Sequence, residues 1–94
     1  LAFSRMIDAK KLLYTQANDN DTIFVQGIID LLIEEDDGFI LLDYKTDKDS
    51  EEKIREKYAV QIKLYAQAAT EILHKPIKEK YLYLFHTGKA IQML

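Results

Sequence analysis

The chain has 94 residues, with 13 Lys and Arg against 16 Asp and Glu (formal net charge −3), 48% hydrophobic and 31% charged residues, and no Cys. That composition fits one globular domain, residues 1–94, burying a little over ~60% of the surface its unfolded chain would expose, and it excludes the disordered class. It also excludes disulfides, thiolate-held zinc and an iron–sulfur cluster, and no apolar run approaches the roughly 20 residues that span a bilayer.

The acidic balance argues against an autonomous, tight nucleic-acid binder, which normally carries a basic face. A chain that starts at Leu1 reads as an excerpt of a longer one, and a cytosolic setting is the default. Leu1 to Ile7 shows little periodicity and reads as a helix remnant or a lead-in. Lys11 to Thr15 is a short strand candidate, and Asn18 to Asp21 is a cluster of turn formers.

Thr22 to Ile33 then reads as a first central strand, Glu34-Glu35-Asp36-Asp37-Gly38 as an acidic turn, and Phe39 to Thr46 as the returning strand of a β-hairpin. Each strand carries one carboxylate in an apolar run. Counting outward from the turn along antiparallel strands sets Asp30 roughly opposite Asp43, to within a residue, and period two puts Lys45 on the face of Asp43.

Facing carboxylates repel, and burial raises the cost of ionising both, so the pattern calls for a reason. A divalent cation is the simplest: Mg²⁺ takes hard oxygens, commonly one or two carboxylates with waters and substrate phosphate. Lys45 beside them can orient or deprotonate a water, or neutralise charge developing on a phosphate. The plainer reading is that Asp30 sits at an exposed edge while Asp43-Tyr44-Lys45 ends a strand.

Asp47 to Lys53 reads as solvated surface opening a helix, with Asp49 as N-cap and Glu52 completing a capping box. The helix should run to about His74, laying Ile54, Tyr58, Ile62, Tyr65, Ala69 and Ile72 on the sheet, before Pro76 stops it. Gln61 and Tyr65, four apart, share one edge of that stripe. Lys80 to Phe85 is a strand that reads as covered on both faces, His86 to Lys89 a turn, and Ala90 to Leu94 a last strand. His74 and His86 have no ligand-like spacing.

Gly27-Ile28-Ile29-Asp30, Asp43-Tyr44-Lys45-Thr46 and Gln61-x-x-x-Tyr65 together resemble the PD-(D/E)xK nuclease superfamily, and within it the RecB-like nuclease domains of bacterial helicase-nucleases. The resemblance implies an α/β, restriction-endonuclease-like core with a mixed sheet: three antiparallel strands, a long helix and two further strands, the family's first helix being absent from this chain. It implies exodeoxyribonuclease chemistry in double-strand-break repair and recombination, with Mg²⁺, for which Mn²⁺ can substitute, held by Asp30, Asp43 and the Tyr44 main-chain carbonyl. Lys45 completes the catalytic set, and Gln61 and Tyr65 support it. The implied partners are single-stranded DNA, the helicase portion of the same chain and a partner nuclease subunit, in the bacterial cytoplasm with no membrane.

The family's upstream Glu and His have no counterpart; Asp8 is the nearest candidate for the Glu. Two alternatives stand beside this reading: a catalytically incomplete DNA-binding or protein-docking module, and a stand-alone resolvase or restriction-type nuclease.

Overall fold

A computed structural model describes residues 1–8 and 22–94. The strand expected at Lys11 to Thr15 and the turn at Asn18 to Asp21 lie outside the described residues. In chain order the elements are β1 (Ala2–Asp8), β2 (Thr22–Ile28), β3 (Leu31–Glu35), β4 (Gly38–Lys45), α1 (Glu51–Leu73), β5 (Ile77–Leu84) and β6 (Lys89–Met93).

The first difference from expectation is the N-terminal stretch, which is a strand. It pairs antiparallel with β2 from Ala2↔Ile28 to Asp8↔Thr22. Its alternation is real but masked, because Arg5 occupies the inward-facing position between Phe3 and Ile7. There it reaches Glu71 of the helix, with Nε 3.6 Å from Oε1.

The second difference is that Thr22 to Ile33 is two strands. β2 belongs to the two-stranded ribbon with β1, while β3 is the edge of a four-stranded sheet ordered β3-β4-β5-β6. The break falls at Ile29 and Asp30. Ile29 is fully buried and exchanges main-chain hydrogen bonds with Leu1, whereas Asp30 sits in a bend and turns toward β4. The bend at Asp30 ends one strand pairing and starts the other, so Ile29 packs into the core while the exposed Asp30 turns its carboxylate to the Tyr44 amide of β4.

β3 and β4 form the expected hairpin, with Leu31 opposite Leu42 and Glu35 opposite Gly38. A Cβ on Gly38 would lie 2.6 Å from the Pro76 carbonyl, so glycine lets the chain leaving the helix approach and accept a 2.8 Å hydrogen bond from the Phe39 amide. β4 and β5 run parallel, with Asp43 beside Leu82 and Lys45 beside Leu84, and β5 and β6 close antiparallel. The helix is the crossover that parallel neighbours require.

α1 has 23 residues, about 34 Å long. Its N-cap is Ser50 rather than Asp49: the Ser50 hydroxyl accepts from the Lys53 amide at 3.3 Å, and Glu51 and Glu52 occupy the positive end of the helix dipole. His74 ends it in the left-handed conformation, its amide donating to the Thr70 carbonyl. The helix buries Ile54, Ile62, Ala66, Ala68 and Ala69 against both sheets. One hydrophobic cluster joins Phe3, Ile7, Val25 and Ile29 of the ribbon side to Leu41, Leu82, Leu84 and Ile91 of the larger sheet.

β5 is covered on one face only, correcting the expectation of two. Leu82 and Leu84 point to the helix, while Tyr81 and Tyr83 are half-buried on the other face and Phe85, just beyond the strand, is 57% exposed. There Tyr44, Tyr83 and Phe85 form a mutual ring cluster with centroids 5.4 to 6.0 Å apart. That set of rings kept the stretch apolar without a second covering layer. Among the described residues no helix is long and apolar enough to cross a membrane.

Candidate active site

The open end of the β3–β4 hairpin gathers the residues singled out in the sequence. Extending the register one step past Leu31↔Leu42 sets Asp30 across from Asp43. The bend at Asp30 removes a main-chain partner for the Tyr44 amide, and the Asp30 Oδ2 accepts that hydrogen bond instead at 2.9 Å. A strand residue's N–H and C=O face the same neighbour, so the Tyr44 carbonyl is on the Asp30 edge as well.

The Asp30 and Asp43 carboxyls adjoin each other, and their surroundings drive the two titrations apart. Asp43 is the member that holds a proton more readily. Burial first, then the Asp30 contact, pushes its carboxyl up despite the opposing Lys45 charge. Asp30 is pulled down, chiefly by the Asp43 hydrogen bond and then by the Tyr44 amide. Asp43 is the buried charged residue of the described core, at 4% exposure.

Lys45 reaches back along β4 to Asp43, with Nζ 2.9 Å from Oδ2, and donates to the Gln61 Oε1 at 2.8 Å. Its side chain is only 13% exposed. Gln61 therefore does what its place on the helix stripe allowed: it anchors the lysine from across the layer.

Tyr65 is placed differently from Gln61. It faces the β1–β2 ribbon, its ring edge-on to Phe3 at 5.2 Å between centroids, and lies against Gly27. A Cβ at Gly27 would meet the Tyr65 hydroxyl and ring well inside van der Waals contact. The glycine three residues before Asp30 and the tyrosine four after Gln61 are thus two halves of one close approach between ribbon and helix.

Asp8 does not stand in for the absent Glu: it pairs with Thr22 at the far end of the ribbon, roughly 20 Å along the strand from the Leu1 end that adjoins Ile29 and Asp30. His74 and His86 are exposed at the helix end and the β5–β6 turn. Two residues at the site were not singled out. Tyr58 places its ring 4.0 Å from the Lys45 Nζ, and Asp47 accepts a 2.8 Å hydrogen bond from the Tyr58 hydroxyl. Their signal was spacing: Tyr58 precedes Gln61 by three residues, so both share the face turned to Lys45.

A buried carboxyl facing a second one, a main-chain carbonyl on the same edge and an adjoining lysine are donors and a charge that suit a hard divalent cation, which takes oxygen ligands and would favour the ionised carboxylates. The mixed sheet backed by a long helix agrees with the family comparison. The model of the PD-(D/E)XK nuclease superfamily matches residues 2–92, and the chain belongs to that superfamily. Within it, the chain is similar to bacterial ATP-dependent helicase/nuclease subunits of the AddA type. It is 51% identical to the one from Thermoanaerobacter sp. (strain X514) over 79% of this chain and 6% of the relative. It is 44% identical to that of Listeria innocua over 88% of this chain and 7% of the relative, and 40% identical to that of Pediococcus pentosaceus over 98% and 8%. The chain thus spans less than a tenth of the length of these relatives.

Proposed function

We propose that this chain is the nuclease centre of a bacterial helicase-nuclease and hydrolyses phosphodiester bonds of single-stranded DNA with Mg²⁺, Mn²⁺ serving in its place. The observation that carries the reading is the Asp30–Asp43 pair with Lys45 bonded to the buried member. A buried carboxyl beside a second one and a buried lysine are an expensive way to end a strand unless the site is used.

Asp30, Asp43 and the Tyr44 carbonyl are the groups that would hold the cation, which when bound supplies Lewis-acid polarisation of the phosphate and of the attacking water. The chain's own residues do the rest. Lys45 orients the water and offsets charge gathering on the phosphoryl oxygens, from a position Gln61 fixes. Tyr65 and Gly27 set the distance of the ribbon, and with it the bend that delivers Asp30. The net charge of −3 leaves strand delivery to other parts of the longer protein, such as a helicase portion and a partner nuclease subunit, in the cytoplasmic processing of double-strand breaks.

The test is degradation of 5′- and 3′-end-labelled single-stranded DNA with Mg²⁺ or Mn²⁺ against EDTA, beside Lys45→Ala. Metal-dependent cleavage lost in Lys45→Ala supports the reading. Cleavage that survives the substitution removes Lys45 from its role, and a protein that binds DNA without cutting it under any metal is a docking module.

A further inference from the structure

Lys45 is held from more sides than the metal-binding pair requires. Besides Asp43 and Gln61, the Tyr58 ring lies against its ammonium, 4.0 Å from Nζ to the ring centroid. The electron-rich face of an aromatic ring attracts a cation, more strongly where water is excluded, and this side chain is 13% exposed.

The ring is itself braced. Its hydroxyl donates to Asp47 Oδ1 at 2.8 Å, and Asp47 Oδ2 is bound by the Lys57 ammonium at 2.7 Å. Those two bonds, Lys57 first, hold the Asp47 carboxyl below its ordinary range. Asp47 lies two residues past Lys45, where the chain has left β4 for the helix, and Tyr58 and Lys57 are on the helix's second turn. The brace therefore ties the exit of the strand that carries Lys45 to the helix that covers it.

We infer that Tyr58 is a positioning residue of this site: its ring, anchored at the hydroxyl by Asp47, holds the Lys45 ammonium in register together with Gln61 and independently of Asp43. Independence matters because Asp43 is contested, engaged by Asp30 as well as by Lys45. A lysine has four rotatable bonds and would lose its aim if that one carboxylate were its only partner. Tyr58 and Gln61, three apart on one helix face, supply two holds that move together.

The inference rests on the nuclease reading, so its test uses the full-length protein that contains this chain and measures kcat and KM for cleavage of single-stranded DNA with Mg²⁺, alongside direct Mn²⁺ binding by electron paramagnetic resonance. Tyr58→Leu, which removes the ring, is expected to lower kcat roughly tenfold with KM within about twofold. Tyr58→Phe, which keeps the ring and loses the anchor, should recover to within about threefold of the unaltered protein, and Asp47→Asn should match it. Mn²⁺ binding should be the same throughout, since neither residue touches Asp30 or Asp43.

Tyr58→Leu at the unaltered kcat overturns the inference, as does Tyr58→Phe as slow as Tyr58→Leu with Mn²⁺ binding intact. If Tyr58→Leu also loses Mn²⁺, Tyr58→Trp against Tyr58→Met decides: a faster Trp variant supports the ring, equal rates overturn it. An unaltered protein that binds Mn²⁺ yet cuts nothing overturns the nuclease reading and this one with it.

Discussion

The β3–β4 hairpin has a cluster of lysine and acid at each end, and the two differ in almost everything but distance. At the turn, Lys78 meets Glu35 at 2.6 Å and Asp37 at 2.8 Å; at the open end, Lys45 meets Asp43 at 2.9 Å. The turn cluster is out in solvent, with Asp37 three-quarters exposed, and each charge there simply favours the other: Asp37 is pulled down and Lys78 is pushed up by its two acids. The open-end cluster also sets two carboxylates beside one lysine, but there Asp43 and Lys45 are buried, and burial pushes the Asp43 carboxyl up instead of down. Neither contact distance nor charge count tells the two clusters apart; burial does.

The largest expected contrast is in cleavage. Lys45→Ala should cost about 10²–10³ or more in kcat for single-stranded DNA, because it removes a positioned charge from a dry site. An electrophoretic assay with end-labelled substrate reads it, and a rate within a few-fold of the unaltered protein would erase the distinction between the two clusters.

Asp43→Asn should abolish cleavage to a similar degree while changing the pH dependence of folding in the opposite sense to an ordinary salt-bridged acid. The folded chain keeps the Asp43 proton to higher pH than the unfolded chain does. Metal-free stability therefore falls as pH rises from about 4 through the raised Asp43 value, whereas Asp30, pulled down, loses its contribution only as pH drops below 3.8. Thermal melts in EDTA should show that fall in the unaltered protein and not in Asp43→Asn. Mg²⁺ should raise the melting temperature more at pH 8 than at pH 5; an equal rise would contradict a raised Asp43 carboxyl.

Gly27→Ala tests the layer that supports the site. The new methyl group meets Tyr65, and overpacking of this kind costs about 1–3 kcal/mol, read by denaturant unfolding. Combined with Tyr65→Leu, the two losses should come to less than their sum, since the second change removes what the first collides with. Lys78→Ala closes the series: cleavage unchanged and little movement of the melting temperature, since solvent screens exposed pairs.

The placement of Asp30, Asp43 and Lys45 together was legible because strand parity is a local rule and a carboxylate inside an apolar run stands out, whereas Gln61 was assigned beside them by the resemblance of Gln61-x-x-x-Tyr65 to the superfamily's motif. The bend at Ile29 was not, since an unbroken run of apolar residues looks the same whether it lies in one sheet or crosses between two. β1 was hidden by Arg5, whose inward position makes sense only once Glu71 of a helix far along the chain is beside it. Tyr58 was hidden by its company: on a stripe with Ile54 and Ile62, a tyrosine that faces an ammonium has the same pattern as one that fills the core. The N-cap slipped by one residue because Asp49 and Ser50 are both able caps.

Because β4 and β5 run side by side in the same direction, residues 46 to 76 must be looped out and returned before that pair can form. Asp43 and Lys45 lie before the loop, and Tyr58 and Gln61 lie within it on the helix. The hairpin can close early from neighbouring residues, but it then presents two acids and a lysine with nothing behind them. Gathering the remaining contacts is a non-local event, of the kind that places mixed α/β chains between fast helical bundles and slow all-β barrels in folding rate. Recovery of cutting after dilution from denaturant should therefore trail the return of helical signal, with the interval between them timing the arrival of the helix at the lysine.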